Sequence, residues 1–121
     1  MLTLRTVSRT THVISAWTLT EMASVGAIKV RTGVASEDER ADALSTFQRF
    51  ASAKFKTVEV EPSDFRSAAI LIDQASALRG GDALHLAISK RIGATMVTLD
   101  RRLESCAKSH GVKVLSITLP P

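Results

Sequence analysis

Between Asp82 and Gly93 the apolar residues Leu84, Ala87, Ile88 and Ile92 recur at helical spacing, and the Arg79-Gly80-Gly81 breaker before them and Gly93 after them mark the helix ends. The pattern then changes period. Thr95-Met96-Val97-Thr98-Leu99 is a short, β-branched, mostly apolar run closed by Asp100, the pattern of a strand buried on both faces. In a parallel sheet the covering helices run against the strands, so a helix starting at Asp82 and a strand ending at Asp100 bring both carboxylates to one edge. A helix rises about 1.5 Å per residue and a strand about 3.3 Å, so the two elements match in length. That edge, outside the carboxyl ends of the strands, is where open α/β sheets place their ligands.

The rest of the chain alternates in the same way. Residues 12–15 read as a strand, and Ser15 or Thr18 can cap a helix running through Met22, Val25, Ala27 and Ile28 to about Gly33. Ser36-Glu37-Asp38-Glu39 is a capping box that opens a second helix with Leu44, Phe47 and Ala51 facing inward. Residues 57–60 form a short strand, and Pro62 starts a helix whose expected buried side is Phe65, Ala68, Ala69, Ile72 and Ala75. After the pivotal stretch, residues 101–109 form a helix stopped by Gly111, and residues 112–117 a last strand. Strands alternating with helices over short loops predict an α/β fold, a parallel sheet covered by helices on both faces, as a single domain over residues 1–121.

Composition narrows the function classes. With 121 residues and 45% hydrophobic positions the chain can bury one ordinary core. No apolar run approaches the roughly 18 residues of a membrane span, and the opening has no signal-peptide h-region, so the expected setting is the cytoplasm. Residues 1–20 are free of acids and rich in Ser, Thr and Arg, a transit-peptide composition, but they run directly into structured-looking sequence. The single Cys106 reads as a packed small residue, and His12, His85 and His110 have no zinc spacing. A net charge of +4 and a pI near 9.7 favour an anionic partner such as nucleic acid. No phosphate-binding glycine loop, dinucleotide fingerprint or nucleophile elbow is present.

Glu21 lies in the early turns of the helix after the first predicted strand and so belongs to the same edge as Asp82 and Asp100. Three clustered carboxylates raise one another's pKa unless a cation neutralises them, and oxygen donors suit Mg²⁺ or Mn²⁺. On a basic protein such a centre suits phosphodiester hydrolysis. Plainer roles compete residue by residue. Asp82 after two glycines and Asp100 after a strand are common helix caps, Glu21 alone reads as a solvated helix face, and His85 reads more readily as a packing residue. Arg79 reads equally as a phosphate ligand or a loop charge, and Lys29, Arg31, Lys90, Arg91, Arg101 and Arg102 as a nucleic-acid rim or as helix-end charges.

The run GGDALHLAISKRIGATMVTLDRRL followed by GVKVL resembles the carboxyl half of a PIN domain, specifically of the VapC toxins of type II toxin-antitoxin systems. ISAWTLTEMASVGAIKVRTG resembles the family's stretch bearing the second acid, and EPSDFRSAAIL the helix before the third, so the likeness spans most of residues 13–117. It implies an Mg²⁺-dependent endoribonuclease with Glu21, Asp82 and Asp100 as catalytic and metal-binding acids, an RNA substrate, a homodimer, and a cognate antitoxin that blocks the site. The family opens with a strand ending in an Asp, whereas here no carboxylate precedes Glu21. The resemblance therefore implies an N-terminally truncated domain or a late-assigned start, with a central lane of the sheet left for residues 1–7 or another chain to fill.

Overall fold

The computed structural model describes residues 2–5, 10–74 and 78–115, with residues 2–5 and 10 as backbone alone. In chain order the elements are β1 (Leu2–Arg5), β2 (Thr10–Ser15), α1 (Ala16–Arg31), α2 (Glu37–Lys54), β3 (Lys56–Val58), α3 (Pro62–Gln74), α4 (Gly80–Ile92), β4 (Thr95–Val97), α5 (Arg101–Ser109) and β5 (Val114–Leu115). The sheet order is β3-β2-β1-β4-β5. The expected parallel pairs are both present, Val13 to Ser15 beside Lys56 to Val58 and Met96 beside Val114. Between them lies β1, antiparallel to both neighbours, with Leu2 opposite Val13 on one side and Met96 on the other. The central lane is thus filled by residues 2–5, running against the direction of the flanking strands. The sheet is mixed at its centre and parallel on either side.

Both faces of the sheet are covered. Neighbouring residues on a strand point to opposite faces, and Val13 with Ile14 on β2, like Met96 with Val97 on β4, are buried together. The larger core joins Val13 and Met96 to Ala68 and Leu71 of α3, Ala83, Leu84, Leu86, Ala87 and Ile88 of α4, and Leu103 and Ala107 of α5. Helix α4 is its spine, because its apolar positions cover more than one face. Its last turn closes on Gly93, whose φ of 66° is the left-handed region that glycine enters without strain. Cys106 packs against this core as a small residue.

The capping box at Ser36 is present in full, Ser36 Oγ accepting from Glu39 N–H and the Glu39 carboxylate accepting from Ser36 N–H. Helix α3 is rotated from its expected face. Ala68 and Leu71 are buried, but Phe65 and Ala69 face solvent, while Asp64 is only 2% exposed. The reason is an ion pair outside the apolar pattern. Asp64 Oδ1 accepts from Arg91 Nε at 2.9 Å and Oδ2 from Arg91 Nη2 at 2.9 Å, and Oδ2 also accepts from Glu61 N–H. Ala75 lies outside the described residues. Among these residues no helix is long and apolar enough to cross a membrane.

Candidate active site

Three helix beginnings meet at the carboxyl edge of the sheet. α1 leaves β2 at Ser15, α5 leaves β4 through Asp100, and α4 enters at Gly80. The capping role open to Asp82 is not the one it takes. Arg79 is the N-cap of α4 and Asp82 is the third helical residue, where it accepts no hydrogen bond among the described residues. Asp100 does cap its helix, Oδ1 accepting from Arg102 N–H at 2.8 Å and Leu103 N–H at 3.3 Å. Its Oδ2 has no partner among the described residues. A cavity of about 250 Å³ lies between Asp82 and Asp100, lined also by Leu78, Arg79, Arg102 and Leu103.

Glu21 reaches the same region from α1. Its Oε1 accepts a hydrogen bond from His85 Nε2, which fixes that ring nitrogen as the protonated one. Its Oε2 lies over the backbone of Gly81, so close that a Cβ there would stand 3.0 Å from it and 3.2 Å from Trp17 Nε1. Only glycine leaves room for this approach. The indole N–H of Trp17 beside it, and the buried hydroxyl of Ser15 at the end of β2, have no hydrogen-bond partner among the described residues.

The electrostatics record the crowding. Burial, the largest cause, pushes the Asp82 carboxyl above its ordinary range and the charge of Asp100 adds to the rise; His85 opposes it, Glu21 adds a lesser push upward, and Arg79 a lesser one downward. Each of the three sequence-predicted acids therefore stands at this edge, with Asp82 inside the field of the other two. They do not form a closed coordination shell. Among the described residues no three His, Cys, Asp or Glu side chains are arranged to hold one ion.

His85, which sequence alone favours as a packing residue, belongs to the site, and the i, i+3 spacing from Asp82 was the signal for it. Arg79 and Arg102 line the acid cavity. Arg91, by contrast, is no part of a rim there, because it is held at the far end of α4 by Asp64. A larger hollow of about 550 Å³ at the opposite edge, beside Ser89, Lys90, His110 and Lys113, contains no carboxylate. Chemistry rather than size singles out the smaller cavity.

The profile of the PIN domain matches residues 4–115. The chain belongs to the PIN domain family. Among curated proteins none matches it significantly. PIN domains are generally metal-dependent nucleases, which supports a hydrolase at that coarse level. The donor chemistry agrees with a hard divalent cation. Asp82 and Asp100 Oδ2 are oxygen donors without hydrogen-bond partners among the described residues in one cavity, and the pKa of Asp82 is raised there, by burial first and by the charge of Asp100 next.

Proposed function

We propose that this PIN domain is an Mg²⁺- or Mn²⁺-dependent endoribonuclease, the toxin of a VapC-type toxin-antitoxin pair acting in the cytoplasm. The observation that carries the reading is the cavity shared by Asp82 and Asp100, with Glu21 beside it and two arginines on its rim. Asp82 and Asp100 would hold the metal, with Glu21 at its flank. A divalent cation so bound supplies a water of lowered pKa and positive charge for the leaving oxygen. Arg79 and Arg102 bind the phosphate and set its position, the fork of guanidinium donors matching its oxygens. The first turn of α4 turns its free N–H groups toward the same edge and favours the anion further. The net charge of +4 draws RNA in from a distance.

An antitoxin and a second copy of the chain are the proposed protein partners. Their support is α1, which has no buried residue and leaves Leu19, Met22, Val25 and Ile28 exposed next to α2. A domain that binds RNA or antitoxin without cutting is the alternative. It is favoured by the open arrangement of the acids among the described residues. Incubating a structured RNA with the protein and Mg²⁺ or Mn²⁺, with and without chelator, separates the two. Chelator-sensitive cleavage that Asp82→Asn abolishes is expected, because Asp82 supplies one of the metal's oxygen donors. RNA that is bound but uncut under every metal condition sinks the enzyme reading. Affinity for RNA should fall as salt rises, and a flat salt response would leave the basic charge without a role in binding.

A further inference from the structure

One contact at the edge is left without a task by this chemistry. His85 stands one turn after Asp82 on α4, and its Nε2 donates to Glu21 on α1, a residue 64 positions away in the chain. The imidazole is mostly enclosed, with 14% of its side chain exposed, whereas the Glu21 side chain is 38% exposed. A flexible, half-open glutamate is thus held by a ring that packing keeps in place. Only one carboxylate oxygen is used. The other, Oε2, is lodged over Gly81, in the residue next to Asp82, with the Trp17 indole closing the slot.

We infer that His85 is a positioning residue, tying Glu21 Oε1 so that Oε2 faces the first turn of α4 as a ready oxygen donor for the divalent cation. The inference rests on the metal reading above and deepens it. Without the tie, Glu21 samples the rotamers of a free surface glutamate, and ordering it becomes a cost of metal binding. Carboxylate ligands held by a hydrogen-bonded neighbour bind metal more tightly, and loss of such a neighbour typically lowers affinity 10- to 100-fold. The geometry also assigns Gly81 a part. A methyl group there displaces the flexible end of Glu21 from the slot and stands 3.2 Å from the Trp17 indole, which must give by a few tenths of an ångström. Alanine is also the better helix former at this position inside α4.

Mn²⁺ titration of the whole chain, followed by calorimetry and by the electron paramagnetic resonance of the free ion, provides the test, with circular dichroism to check folding. Wild type binds. His85→Ala weakens binding by roughly 10- to 100-fold, and His85→Gln, whose amide nitrogen reaches the same place, restores most of it. Gly81→Ala weakens binding while keeping the wild-type circular dichroism of a folded domain. A merely structural His85 would not be rescued by Gln in metal affinity, nor would its effect be mimicked by a folded variant that keeps His85. Equal or tighter Mn²⁺ binding in His85→Ala overturns the role, and if that variant does not fold, equal or tighter binding in Gly81→Ala overturns it instead. A folded wild type that binds no Mn²⁺ overturns the metal reading itself and this role with it.

Discussion

Asp64 and Asp82 are each the third residue of a helix, α3 and α4, and each is drawn inward from the surface. Their carboxyls nonetheless shift in opposite directions. Burial pushes Asp64 upward, but the Arg91 guanidinium and the Glu61 N–H outweigh it, and its pKa falls below the ordinary value. Burial also pushes Asp82 upward, and there the charges of Asp100 and Glu21 add to the rise while His85 and Arg79 offset it only in part, so its pKa stays above the ordinary value. The difference lies in the company each acid keeps. An acid fully paired with its cation fastens α3 to the end of α4, whereas one that is only partly offset, at the other end of α4, is poised to take a cation.

The largest effect expected from breaking this contrast is on cleavage. Asp82→Asn should reduce RNA hydrolysis by on the order of a hundredfold or more, while Asp64→Asn, measured per folded molecule, should cut at nearly the wild-type rate. Equal losses in single-turnover assays would dissolve the distinction. Next in size is stability. Arg91→Ala leaves a carboxylate that is 2% exposed without its cation and should cost about 2–4 kcal/mol in urea unfolding, discounted for the partial exposure of the arginine. A loss under about 1 kcal/mol would mean that the pair contributes little.

The acid limb sharpens the contrast further. The folded pKa of Asp64 lies below its ordinary 3.8, so the stability it contributes is present above that pH and disappears as pH falls through the folded value. For Asp82 the folded pKa lies above 3.8, so its contribution is present below that pH and disappears as pH rises through the folded value. Thermal melts across this range should therefore show Asp64→Asn losing its destabilisation toward low pH. The smallest effect is at neutral pH, where Asp82→Asn should melt slightly higher than wild type, with the gain vanishing in acid. A lower melting temperature for Asp82→Asn at neutral pH would contradict the assigned strain.

Local pattern was enough to read α4, β4 and the Ser36 cap, because each is written in residues that are neighbours in sequence. The edge shared by Glu21, Asp82 and Asp100 also followed from element order and rise per residue. The rotation of α3 could not be read this way. Phe65 looks like a core residue, and only the partner Arg91, 27 positions on, makes Asp64 the buried one. The link between His85 and Glu21 has the same origin. The direction of β1 was equally hidden, since strand polarity is set by which lane a segment finds and not by its own alternation.

That reversed strand has a consequence for how the domain breathes. Among the described residues β1 pairs with β2 over four positions, from Leu2 with Val13 to Arg5 with Thr10, but with β4 through Leu2 with Met96 and Thr3 with Thr95. These two rungs join the β3-β2-β1 half of the sheet to the β4-β5 half. In hydrogen-exchange terms that short ladder is the place where the native state is expected to open ahead of global unfolding. Glu21 stands on one side of it and Asp82 and Asp100 follow the other, so each opening event separates the acids. A cation bridging them would act as a rivet, and slower amide exchange at Thr95 and Met96 would be its signature.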